Sequence, residues 1–163
     1  MKHILLSISI LFAFGVSAEA QEIFKMYKND AKEIVDNPKS NPTVAKIAQF
    51  KYVGLQYIYD KAVQSDRDVT IKFLDDQAYY MNQFVNLFIS DVLVNQSLSK
   101  SDKKKRILLF VDASGSNPLF KDNDKDVVDA YVTAGNQLTP FSLDTDWPKA
   151  YAAVQSELEK LNK

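Results

Sequence analysis

The sequence predicts an all-α, single-domain bundle of five or six helices around one long central helix. Apolar residues recur in steps of three and four along most of the chain. Well-formed helix starts precede several of these runs, and most of the few Pro and Gly residues fall between them or near their ends.

The central helix is read from Asp68 to Asn95. Leu74, Ala78, Met81, Val85, Phe88 and Val92 form an unbroken stripe, widened by Phe73, Tyr80, Phe84, Leu87 and Val94. A face this broad belongs to a helix covered by several neighbours. Asp66 or Asp68 is the expected N-cap. Tyr79 only borders the apolar face and is the aromatic most open to another role.

The helix before it begins at Asn41-Pro42, a capping side chain followed by a proline whose missing N–H costs nothing in the first turn. Ala48, Tyr52, Leu55, Tyr59 and Ala62 continue the spacing. Gly54 in mid-helix carries a propensity penalty of about 1 kcal/mol, which close approach of a neighbouring helix would explain. An earlier helix spans Glu22 to Asp36 and stops at Asn37-Pro38.

Downstream, Ser99-Lys100-Ser101-Asp102 has capping-box spacing and leads into Ile107–Val111, with Gly115 as the expected stop. A buried strand over Ile107–Val111 is the alternative. A short helix fits Asp126–Ala134, and a last one starts at Thr145–Trp147 with Trp147, Tyr151, Val154, Leu158 and Leu161 in register. Loops at Asp112–Lys125 and Asn136–Asp144 are where a helical scaffold would display function.

The N-terminus reads as a cleavable export signal over residues 1–20, leaving 21–163 as the mature domain. Lys2 and His3 precede an apolar run, Ile4–Val16, and Ala18-Glu19-Ala20 supplies small residues for cleavage. The run is too short to span a bilayer, and no other segment reaches the roughly 20 apolar residues required. The single His lies in this segment and Cys is absent. The expected mature chain therefore lacks the commonest general base, the thiol nucleophile and the usual ligands of zinc or haem iron.

A net charge of −1 and a pI near 5.8 argue against a nucleic-acid partner. The compact basic run Lys103-Lys104-Lys105-Arg106 wraps a full helical turn, so it reads as a solvated helix start. No P-loop, GxSxG or HExxH pattern occurs.

Two acidic clusters are the candidate sites. Asp122, Asp124 and Asp126 imitate the first ligands of a calcium loop, but Val127 and Thr133 stand where that loop needs Gly and Glu. Helix capping serves the same aspartates as well. Calcium is the one cofactor they suggest. Asp144, Asp146 and Trp147 form an acidic pair beside an aromatic platform suited to sugars or cations; a capped helix start explains the same residues. Asp75 and Asp76 diverge by about 100° on a helix, so they are read as exposed carboxylates rather than a catalytic pair.

Ala18-Glu19-Ala20-Gln21, Gln49-Phe50-Lys51-Tyr52 and Phe141–Trp147 together resemble segments of small secreted proteins of Bacteroidetes. The resemblance implies an exported protein of a Gram-negative cell and transfers no catalytic residue. The function expected is a periplasmic or secreted binding module without chemistry of its own. Its partner would be an envelope protein, a polymer or an apolar ligand. The alternatives are a carrier with an apolar cavity between the second and central helices, and an enzyme using Asp and Lys with a divalent cation.

Overall fold

A computed structural model describes residues 22–65, 69–121 and 140–161, and among these described residues there are five α-helices. They are α1 (Ile23–Asp36), α2 (Pro42–Gln64), α3 (Ile71–Phe88), α4 (Lys100–Ser116) and α5 (Trp147–Leu161). Among the described residues there is no strand, so the stretch Ile107–Val111 is helical. The expected signal segment, the aspartates at 122, 124 and 126, and the helix expected over 126–134 lie outside the described residues.

α3 is central, as its broad apolar face requires. It packs against α1, α2 and α5, and its continuation touches α4. Its start differs from expectation: Thr70 is the N-cap, its hydroxyl accepting from Phe73 N at 3.1 Å. Asp66 and Asp68 are outside the described residues. At the far end Ile89–Leu93 widens into a π-helical turn. Such a turn rotates the following side chains relative to a regular helix. Here it presents Asp91 to Arg106 of α4, which donates to both carboxylate oxygens at 2.5 and 2.7 Å.

The local caps sit where the sequence places them. Asn41 Oδ1 accepts from Thr43 N at 2.9 Å, with Pro42 in the first turn. Ser99 Oγ accepts from Asp102 N at 3.1 Å, while the Asp102 carboxylate accepts from the Ser99 hydroxyl at 2.7 Å. In the usual box the third-position side chain reaches the cap's backbone N–H; the shorter Asp stops at the hydroxyl. That hydrogen bond, aided by Lys105 and Arg106, holds the Asp102 carboxyl below its ordinary pKa. α4 runs past Gly115 to Ser116, and Asn117 closes it by donating to Ala113 O at 2.8 Å.

α1 has no side-chain cap of its own. Asp75 of α3 supplies one, accepting from Phe24 N at 2.8 Å. An anion at a helix N-terminus satisfies an orphan donor and favours the positive end of the dipole. This corrects the reading of Asp75 as a merely solvated carboxylate. Asp76 does point away, pairing with Lys72 at 2.6 Å. Against α2, α1 sets Lys28 beside the rings of Phe24, Tyr52 and Tyr59, each about 6 Å from the ammonium.

Gly54 is explained by close approach. A Cβ there would lie 2.3 Å from Met81 Cε of α3 and 3.8 Å from Leu143. The α2–α3 seam, where a carrier would need its cavity, is filled by these side chains. Gly54→Ala is expected to change stability by less than about 1 kcal/mol, because the atom its Cβ meets is the terminal methyl of a flexible methionine, whose displacement is offset by the better helix propensity of alanine. Pairing it with Met81→Ala should give a coupling term of about 1 kcal/mol in a denaturation cycle. Simple additivity would show that the contact is relieved elsewhere.

The core is aromatic. Phe84 meets Phe110, Phe141 and Trp147 at 5.2–5.3 Å, all edge-on, and Phe88 meets Phe110 and Phe141 at 5.2 and 4.9 Å. Phe141 and Leu143 come from the segment leading into α5 and are buried. The expected surface loop ending at Asp144 is therefore, from residue 141 onward, part of the core.

Candidate functional site: a tyrosine face with a part-buried lysine

Asp144, Asp146 and Trp147 stand together, but facing inward. Asp144 is buried, and its Oδ1 accepts from Leu119 N at 3.1 Å and Phe120 N at 2.7 Å. Thr145 is buried as well, its hydroxyl within reach of Ser142 O at 2.6 Å and Ser114 O at 3.1 Å. Asp146 N donates to Asn117 O at 2.7 Å, and Asp146 O accepts from Ala150 N at 2.9 Å in the first turn of α5. Its carboxylate lies 2.6 Å from Lys149 Nζ and 3.4 Å from Gln77 Nε2.

Trp147 is fully buried, and its backbone N donates to Gln77 Oε1 at 3.0 Å. Its ring is edge-on to Phe50 and Phe84 and presents no face to solvent. These residues do what a buried chain junction needs: the carboxylate of Asp144 satisfies backbone donors after α4, and Gln77 receives the first N–H of α5. As a site, the cluster offers solvent only an edge of Asp146. Among the described residues, no cluster of three or more acidic or other metal-ligating side chains is positioned to hold a metal ion.

The outward-facing chemistry lies on the seam of α1, α3 and α5. Tyr79 and Tyr80 of α3 stand edge-to-face at 5.2 Å, and Tyr80 is 5.8 Å from Tyr151 of α5. Tyr27 of α1 joins from the other side, hydrogen-bonded to Asn82 and close enough to Tyr79 to interact with it electrostatically. Tyr79 is 41% exposed; the other three are half-buried. Gln155 Nε2 donates to Tyr151 OH at 3.0 Å, so this phenol is held in place. Partial burial raises the pKa of Tyr27 and Tyr151, with the neighbouring phenols adding to it, so both stay protonated donors well above neutral pH.

Next to Tyr27 and Asn82 sits Lys51 of α2. Its Nζ donates to Asn82 Oδ1 and, at 3.2 Å, to Asn86 Oδ1. Asn82 and Asn86 are one helical turn apart on α3 and so reach the same point. No carboxylate among the described residues pairs with this amine. Burial pushes its pKa down to about 8. The unfolded chain thus binds more protons than the native one between about 8 and the ordinary 10.5, and the contribution of Lys51 to stability rises with pH across that window.

Tyr79 is legible in the sequence as an aromatic that only borders the core stripe, whereas no local pattern marks Lys51. Gln49-Phe50-Lys51-Tyr52 looks like an ordinary amphipathic stretch; the amide partners lie 31 and 35 residues away. An open concavity of about 460 Å³ at the end of α1 is lined by Asn29, Lys32, Glu33, Asp36 and Asn37. Comparison with protein-family models, with characterised proteins and with solved structures finds no match for this chain.

Proposed function

We propose that this chain is an exported, non-catalytic binding module whose partner-facing surface is the tyrosine face of α1, α3 and α5, and that the partner is a protein of the cell envelope. The observation that carries the reading is the convergence of Tyr27, Tyr79, Tyr80 and Tyr151 from three helices onto one partly exposed patch. Tyrosine is enriched in protein interfaces because it offers a large rigid ring with few rotatable bonds and a hydroxyl that pairs at the rim. Helices that pack on a rigid core hold such rings in register before binding, which lowers the entropic cost of association. Export rests on the basic, apolar and small-residue pattern of residues 1–20. The carrier alternative loses support because Met81 and Leu143 occupy the α2–α3 seam.

A photo-cross-linking residue in place of Tyr79, compared in the native cells with the same residue in place of exposed Lys104, tests the surface. One dominant protein adduct is expected from position 79 and none from position 104. Tyr151→Ala should weaken that adduct about tenfold, the effect of losing roughly 1.4 kcal/mol at a hot spot. Equal yields at the two positions would remove the tyrosine face as the binding surface. An adduct carrying polysaccharide instead of protein would reassign the partner to an envelope polymer.

A further inference from the structure

We propose that the first half of α4 is a membrane-surface element: it lies against an anionic phospholipid surface, its lysines meeting lipid phosphates and Leu108 entering the headgroup boundary. This is independent of the tyrosine face, whose residues come from α1, α3 and α5.

Of the basic residues that wrap the first turns of α4, one is withdrawn. Arg106 is only 11% exposed and pairs with Asp91, whose carboxylate oxygens accept from it at 2.5 and 2.7 Å. The lysines stay outside. Lys100, Lys104 and Lys105 are exposed and Lys103 is half-buried. Lys105 has an acidic neighbour, Asp102 at 3.6 Å, with both side chains on the surface. Lys100, Lys103 and Lys104 form no ion pair among the described residues. Four lysines against one aspartate make this end of α4 strongly positive, in a chain whose net charge is −1. The helix dipole adds to it, since its positive end lies in the same turn.

A merely solvated helix start would keep polar residues on the rest of its outward face. Leu108 breaks that pattern. Phe110, Ala113 and Ser114 are buried and mark the core side of α4. Leu108, two positions before Phe110, projects from the opposite side and is 50% exposed. Lys104 and Lys105 stand one turn before it on the same face. The outward surface of α4 is thus a leucine bordered by ammonium groups, the pattern of a helix that rests on a lipid surface. Asp112, exposed one turn after Leu108, limits the patch to the first half of the helix.

Charge and shape select the occupant. Lipid phosphates recur across a surface without fixed positions, which suits lysine, a point charge on a flexible stem that needs no bidentate geometry. They take the ammonium groups while the adjoining apolar boundary takes the leucine; a soluble polyanion offers the leucine nothing. Among the described residues no helix is long and apolar enough to cross a membrane, so the contact is peripheral.

Co-sedimentation of the purified protein with vesicles tests this. Binding to vesicles of equal parts phosphatidylcholine and phosphatidylglycerol is expected to exceed binding to phosphatidylcholine alone about tenfold or more, and to weaken as salt rises. Lys100→Gln with Lys104→Gln should weaken it about 25-fold, roughly fivefold for each lysine at an anionic surface. Leu108→Ala changes no charge and should weaken it about fivefold. Lys25→Gln with Lys39→Gln removes the same charge from exposed positions on α1 and in the turn after it, and should leave binding within about twofold of the parent. Residues 1–20, where retained, are common to all these proteins and cannot produce the differences. Binding no tighter to the anionic vesicles, equal losses from the two lysine pairs, or a Leu108→Ala variant that binds like the parent would each overturn the proposal.

Discussion

Phe84→Ala is expected to lower the unfolding free energy by about 4 kcal/mol, the middle of the range for truncating a buried aromatic. Phe84 is fully buried and is the ring on which three pieces of chain meet: Phe110 from α4, Phe141 from the segment before α5, and Trp147 from α5. Its removal forfeits transfer free energy and three edge-to-face contacts, each worth roughly 0.5–1.5 kcal/mol. It also leaves a cavity whose walls are large rigid rings, which collapse poorly. For a domain of this size the loss corresponds to a fall in melting temperature of about 12–16 °C. Phe84→Leu should recover about half. Thermal and urea unfolding of the three proteins check this, and a Phe84→Ala loss below about 2 kcal/mol would mean that α5 can move in to fill the space.

Asp144→Ala is the second large effect, expected at about 3 kcal/mol. The side chain is buried and one of its oxygens takes two backbone N–H groups, from Leu119 and Phe120. Hydrogen bonds to a charged acceptor are stronger than neutral ones, and withdrawing a buried acceptor costs the desolvation of the donors it served. Asp144→Asn keeps an oxygen at the same position and should cost about 1 kcal/mol. Hydrogen exchange adds a local readout: the amides of Leu119 and Phe120 should lose protection in the Ala variant and largely retain it in the Asn variant. Equal stability of Ala and Asn variants would show that the carboxylate does not hold the chain after α4.

Phe84 was legible: it lies on the second stripe of the long central helix, and helical periodicity places it inward. That it would be the meeting point of α4, α5 and the 141–146 segment was not, because periodicity tells which face is buried and not what buries it. In the sequence Asp144 stands as one of an acidic pair beside a tryptophan. Residue types alone cannot distinguish an acidic surface site from an acidic junction, since the same carboxylate accepts equally from a ligand or from backbone N–H groups. Burial decides between them, and burial here comes from packing of α4 and α5 on either side.

What the sequence by itself determined is the set of features that close within a turn of helix. The cap at Asn41-Pro42, the Ser99–Asp102 exchange, the divergence of Asp75 from Asp76 and the existence of α1, α2, α3, α4 and α5 all depend on residues within four positions of one another, whose relative positions helical geometry imposes. Only the tertiary structure decided the features that join distant turns. Asp75 caps α1 from 51 residues away, Lys51 finds Asn82 and Asn86 across the α2–α3 crossing, and four tyrosines from three helices share one face. The reason is that helix crossing angles and axial offsets are set by how side chains interdigitate. A displacement of one turn would leave every helix intact while separating each of these groups from its partner.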